Sequence, residues 1–283
     1  MRIRVTAAMF SAAVVVSALA LPATAQAAER PGAPAGLGVF AAKSVHPYDS
    51  LGSMKFSKAV INGGKDIVLG VTTKKNVTVT YVATSSSGVA LTEAFLWQGT
   101  DSSSTDTITG SLGTDDDPAC VESTSQTGVY ACTAVFHINA ASDFKDNGAA
   151  GTWKLFLGGY DLYANASYDD NVATTKIKRA SQLTVNASPE PVKKGKTITV
   201  VGSLKRANWT NGTTAGYAGQ KVLLQYRKKT SQTYTTLKSV TSGTGGALKS
   251  TTKATADGYY RYSFPTNTTT GASSAAGDYV DVK

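Results

Sequence analysis

Between Ser181 and Lys283 the chain repeats one short pattern, an alternating run followed by a turn. The runs are SQLTVNA, KTITVVGSL, QKVLLQYRK, YTTLKSV, ALKSTTKATA, YYRYSF and DYVDVK. The turns SPEPVKKG, NWTNGTTAGYAG, TSGTGG, ADG and TNTTTGASSAAG separate them. A strand sends successive side chains to opposite faces, so alternation marks a sheet with one buried face. Seven such runs in about 100 residues fit an immunoglobulin-like sandwich. Ile198, Val200 and Leu204 share one face, as do Val222, Leu224 and Tyr226, and Tyr260, Tyr262 and Phe264. The Asp257-Gly258-Tyr259-Tyr260 run predicts a corner where a tyrosine hydroxyl is held against upstream backbone.

The preceding segment, Ser44 to Arg179, carries strand runs too: VTVTYVA, LTEAFLWQG, VYACTAVFHI and GTWKLFLGG. Neither segment shows a sustained helical period, and Glu, a helix former, occurs only at 29, 93, 122 and 190. One helical turn is expected at Ser142–Asp146. The polar stretch from Thr100 to Pro118 reads as an exposed connection. Trp209 and Tyr217, in the NWTNGTTAGYAG turn, are expected to be exposed and available to stack on a sugar. Cys120 and Cys132 flank an expected turn near Gly128, so strands entering and leaving it set the two side by side. In an exported chain with two Cys, a disulfide is the expected state.

Export is read from the first 27 residues. Arg2 and Arg4 precede an uncharged apolar run, Pro22 breaks it, and Ala25-Gln26-Ala27 offers small residues to a signal peptidase. The run is short of the roughly 20 residues a spanning helix needs, and no second run of that length follows. The layout expected is a signal peptide (1–27), a Pro/Gly/Ala-rich lead (28–43), a disulfide-bearing β-sandwich domain (44–179) and a basic immunoglobulin-like domain (181–283). The fold class is all-β, two sandwiches in tandem.

Charge divides unevenly between those halves. The net +9 of the whole chain falls to +7 once residues 1–27 are removed. Residues 43–180 carry 11 Lys/Arg against 14 Asp/Glu, whereas residues 181–283 carry 14 against 4.

The strings SQLTVNASPEPVKKGKTITVVGSLKRANW, GYAGQKVLLQYRKK, TYTTLKSV and AGDYVDVK resemble a module common in secreted actinomycete proteins of unassigned role. INGGKDIVLGVTTKKNVTVTYVAT, the Cys pair and AGTWKLFLGGYD are similar, more loosely, to the domain that precedes that module. The resemblance implies tandem immunoglobulin-like domains and export. It brings no catalytic motif, and some relatives carry a calcium-binding label.

The residues themselves offer little to an enzyme. His46 and His137 are the only histidines, no G-x-S-x-G is present, and His137 alternates with Phe136 and Ile138 so that it faces away from them. No short motif places a carboxylate pair for glycoside hydrolysis. Calcium takes oxygen ligands, and Asp115, Asp116 and Asp117, with Asp101 and Asp106 nearby, form the densest acid run. Asp161, Asp169 and Asp170 make a second group, read as lying in a loop. Neither matches an EF-hand loop, and the preferred reading is a solvated acidic surface.

The basic half is more suggestive. Lys193, Lys194 and Lys196 crowd one turn, Lys205 and Arg206 follow in the next run, and Arg227, Lys228 and Lys229 end another. Such a surface attracts polyanions by charge alone. The expectation is a secreted, non-catalytic binding or structural protein at the cell envelope, without a cofactor. Its expected partner is an anionic cell-wall polymer or another extracellular polyanion; no specific protein partner is indicated. A calcium-binding protein is the alternative, and a secreted hydrolase is a more distant one.

Overall fold

The computed structural model describes residues 53–283. The expected signal peptide, the lead, residues 44–52 and His46 lie outside the described residues. The described residues belong to one compact unit.

Strands dominate. Before Ala180 they are β1 (Lys55–Ile61), β2 (Ile67–Leu69), β3 (Lys74–Thr84), β4 (Leu91–Gly99), β5 (Ile108–Gly113), β6 (Ala119–Glu122), β7 (Val129–Asn139), β8 (Gly151–Tyr160) and β9 (Ala166–Arg179). They form two sheets, ordered β1-β3-β7-β6 and β2-β9-β8-β4-β5. All pairings are antiparallel except β2 with β9. Period-two alternation turns Val77, Val79, Tyr81, Phe136 and Ile138 inward from the first sheet. Leu96, Trp153, Leu155, Leu157 and Ile177 meet them from the second. The central strands β4 and β8 are apolar on their outer face as well, where Phe95, Trp97 and Phe156 make a separate small cluster.

After Ala180 the strands are β10 (Ser181–Leu183), β11 (Asn186–Ser188), β12 (Thr197–Asn208), β13 (Thr213–Gly216), β14 (Lys221–Lys228), β15 (Thr235–Thr241), β16 (Ala247–Lys253), β17 (Gly258–Phe264), β18 (Ser273–Ser274) and β19 (Asp278–Val280). β12 is the spine of one sheet and pairs with β10, β11, β13 and β16. The other runs β15-β14-β17-β18, with β19 also on β17. Ile198, Val200, Leu204, Val222, Leu224, Tyr260, Tyr262 and Phe264 all lie in the core between them, as the alternation requires. The molecule is thus all-β, built of immunoglobulin-like sandwiches.

Several local expectations change. SQLTVNA is two strands, β10 pairing with β12 at Leu204–Arg206 and β11 pairing with it at Thr199–Val201. Between them the Thr184 carbonyl occupies the space that a side chain at Gly202 would need. The stretch from Thr100 to Pro118 is not simply a connection; it contains β5, which pairs with β4 from Phe95 to Gly99. The helical turn spans Ala140–Asp143, two residues earlier than expected, because Asn139 caps it by accepting from the Ala141 N–H. The tyrosine corner is reversed. Tyr226, on β14, donates its hydroxyl to the Ala256 and Asp257 carbonyls at 3.1 and 3.2 Å.

Ala180 alone separates β9 from β10, and it is not a free linker. Its N–H donates to Leu69 and its carbonyl accepts from Ala207, both at 2.8 Å, one bond to each sandwich. Around it the sandwiches are packed together. Trp209, expected to be exposed, is buried: its ring stacks on Phe144 at 4.7 Å and its Nε1 donates to the Gly70 carbonyl at 3.0 Å. Asn147 donates to Asn208 Oδ1 and accepts from the Trp209 N–H. Lys178 is 3% exposed and is held by Asp66 and Thr266, each at 2.6 Å. Arg179 is also buried, and its Nη1 reaches the Ala207 carbonyl at 3.4 Å. Burial, with Arg206 beside it, pulls the Arg179 pKa down to about 10.

Candidate functional site: a cationic and aromatic sheet face

Topology decides which basic residues meet. β12 runs away from the Lys193–Lys196 turn toward Trp209, so that turn lies at the end of the second sandwich remote from the first. Arg227, Lys228 and Lys229 lie at the same end, because Lys228 pairs with Gly258 and the Lys229 N–H donates to the Asp257 carbonyl. The last residues of the chain join the two basic turns. The Lys194 N–H donates to the Lys283 carbonyl, and the Val282 N–H donates to Asp257 Oδ1. That second bond is the main cause of a lowered Asp257 pKa. Six of the eight basic residues singled out in the sequence therefore share one end.

The other two do not join them. Lys205 is exposed near the junction of the sandwiches. Arg206 packs its guanidinium over the Tyr217 ring at 3.6 Å and donates to Thr270 Oγ1 at 3.1 Å. Burial lowers its pKa. Tyr217, expected to be exposed, has one face covered by that guanidinium and edges against Phe264. Trp209 is therefore not available as a sugar platform, and Tyr217 is half-buried with one face taken by Arg206.

The structure adds residues to the basic end. On β14 and β17 the apolar residues Val222, Leu224, Tyr260 and Tyr262 face the core, so Arg227, Tyr259 and Arg261 face outward. Tyr279 on β19 sits opposite Tyr259. Tyr234, just before β15, lays its ring across this face. Its hydroxyl end rests against Gly277, where any side chain would collide with it. A ladder results. The Arg261 guanidinium lies 3.7 Å from the Tyr234 ring centre, and that of Arg227 lies 5.4 Å from it. Arg227 is also 3.8 Å from Tyr259, whose ring is 5.2 Å from that of Tyr279. Lys229 closes the series 5.4 Å from Tyr279. Hydrogen bonding to Tyr279 is the main cause of a raised Lys229 pKa.

Each guanidinium is fixed by one further bond. Arg227 Nη1 donates to the Ser231 carbonyl at 2.8 Å, and Arg261 Nε donates to Gln225 Oε1 at 2.9 Å. Among the described residues no carboxylate pairs with either. The ion pairs among the described residues are Asp66–Lys178 and Asp281–Lys283, and Asp115 meets the His137 ring. Arg261 and Tyr259 were legible as an outward pair in YYRYSF; Tyr234 was not, since its place depends on Gly277 across the sheet.

The acidic groups behave differently. Asp115 Oδ2 meets His137 Nδ1 at 3.1 Å in an open pocket of about 220 Å³, also lined by Ser111 and Asp143. The two side chains are 77% and 45% exposed. No hydroxyl hydrogen-bonds His137 among the described residues. Asp116 and Asp117 are exposed at the surface beside Asp115. Asp169 and Asp170 lie in β9 rather than in a loop. Asp169 accepts from the Asn171 N–H, Asp170 accepts from Ser102 Oγ at 2.7 Å, and Asp161 accepts from Tyr163 and Asn165 within its own turn. Among the described residues no three His, Cys, Asp or Glu side chains come together as a metal site would require. Cys120 and Cys132 are bonded, directly opposite one another on β6 and β7.

No family model and no curated protein matches the chain. Solved structures that resemble it include the D00-D0 domain of intimin, at 17% identity over 78% of this chain and 98% of that one, with a TM-score of 0.25. The Yersinia pseudotuberculosis adhesin InvE is 12% identical over 80% of this chain and 58% of its own, with a TM-score of 0.27. The Escherichia coli adhesin FdeC is 16% identical over 81% and 65%, with a TM-score of 0.29. The chain thus spans less than two thirds of either adhesin structure, 58% of one and 65% of the other. No helix among the described residues is long and apolar enough to cross a membrane.

Proposed function

We propose that this is an exported, non-catalytic binding or structural protein of the cell envelope, retained there by attraction between its second sandwich and an anionic wall polymer. One observation carries the reading: Lys193, Lys194, Lys196, Arg227, Lys228 and Lys229 share one end of that sandwich, with Arg261 near them, and among the described residues no carboxylate pairs with the Arg227 or Arg261 guanidinium. Charge on this scale focuses a positive potential and draws in polyanions without shape recognition. Such contacts are screened within about 10 Å at 0.1 M salt.

The test is retention of the whole mature chain on purified cell wall. The second sandwich is not tested alone, since separation would expose Trp209. Binding at low salt and release by about 0.5 M salt is the expected result. Retention indifferent to salt contradicts the charge mechanism.

A further inference from the structure

General attraction explains why anions approach the basic end, but not why two arginines on the outer sheet face are held in fixed orientations. We propose that the Arg227–Tyr234–Arg261 ladder is a specific site for an unbranched phosphodiester polymer that carries no aromatic bases. This rests on the polyanion reading above and narrows it to a place and a ligand class.

Three observations lead there. First, each guanidinium is preorganised. A ring lies against its plane and one donor is tied to a neighbour, Ser231 for Arg227 and Gln225 for Arg261. Less side-chain freedom is then lost on binding, and the untied N–H groups keep the fork that matches two oxygens of a phosphate. Second, the arginines are diagonal neighbours on adjacent strands, since Gln225 pairs with Arg261 and Arg227 with Tyr259. Diagonal positions on one sheet face are about 7–8 Å apart. Two anionic groups that close favour a short, charged repeat over a single anion. Third, one face of each tyrosine is already engaged. Tyr234 and Tyr259 each carry a guanidinium within 4 Å, at 3.7 and 3.8 Å. Proteins that hold single-stranded nucleic acid stack bases on open aromatic faces. Here the rings orient arginines, so the ligand is read through its phosphates.

The experiment compares binding of poly(glycerol phosphate) to the mature chain and to variants with matched charge, at about 0.1 M salt. Arg227→Gln with Arg261→Gln is expected to weaken binding at least about tenfold, the scale of losing charge-assisted hydrogen bonds. Lys193→Gln with Lys194→Gln removes the same charge from the same end and is expected to weaken it less than about threefold. Arg227→Lys with Arg261→Lys keeps both charges but loses the fork, and is expected to resemble the Gln pair. The Lys variant keeps the test open should the Gln variant fold poorly. Equal losses in the ladder and Lys193/Lys194 variants, or normal binding by the Lys variant, overturn the ladder and leave general attraction standing. Tighter binding of heparin or of single-stranded oligothymidylate than of poly(glycerol phosphate) overturns the ligand class. A wild-type chain that binds none of the three polymers overturns the polyanion reading itself.

Discussion

Trp209 lies on Phe144 with ring centres 4.7 Å apart, and that stack crosses from the second sandwich into the first. Trp209 belongs to the turn after β12, yet it is packed in the core of the first sandwich, and its Nε1 satisfies the Gly70 carbonyl. A polar turn thus supplies a core residue to a neighbour.

Removing that ring tests how far the junction stabilises the molecule. Trp209→Ala leaves a cavity beside Phe144 and an unpaired Gly70 carbonyl. The expected cost is about 3–5 kcal/mol in urea denaturation. A cost below about 1 kcal/mol would mean that the stack adds little.

The Lys178–Asp66 pair at the same junction should respond asymmetrically. Lys178 is 3% exposed and Asp66 41%. Asp66→Ala strands a buried ammonium on Thr266 alone, whereas Lys178→Met removes the buried charge and leaves an exposed carboxylate. Breaking a buried pair costs about 3–5 kcal/mol, and the exposure of Asp66 brings the expectation to roughly 2. Lys178→Met is expected to stay within about 1 kcal/mol of the wild type. Thermal melts of the two variants check the order.

Alkaline pH should unfold the protein through its buried tyrosines. Burial raises the pKa of Tyr81, Tyr260 and Tyr262 to about 12 each. In the unfolded chain a tyrosine titrates near 10. The folded state therefore favours the protonated hydroxyl. That contribution is whole below about pH 10 and is lost as pH rises toward about 12. Melting temperature measured across this window should fall steeply, with tyrosinate absorbance rising as the structure is lost. Full ionisation of all tyrosines in a chain that remains folded would contradict it.

The disulfide offers a simpler measurement. Cys120 and Cys132 are 12 residues apart in sequence and close a hairpin between β6 and β7. Replacing both with Ala frees the unfolded chain, at an expected cost of about 3 kcal/mol by the loop-entropy argument. Chemical denaturation of the oxidised and Ala forms gives the difference.

Much of the second sandwich was open to reading from the sequence because its information is local. Val222 and Leu224 alternate with Leu223 and Gln225, and a pleated strand turns that order directly into a buried and an outer face. The Cys pair was legible for the same reason, being in a hairpin. β9 escaped notice because SYDDNVATTKIKR has no clean alternation. Its pairing with β8, which breaks register between Leu155 and Leu157, holds it in the sheet.

What the amino-acid order determined alone was the class of fold, the faces of the strands and the amount of positive charge. Tertiary structure decided where that charge gathers, which rings are buried and how the sandwiches meet. Tyr234 reaches its ladder only because Gly277 lets it cross the sheet, and Trp209 finds Phe144 only when the chain returns from a distant strand. Alternation reports on neighbours one or two residues away. Contacts between residues more than 40 positions apart depend on how whole sheets pack, and no local pattern encodes them.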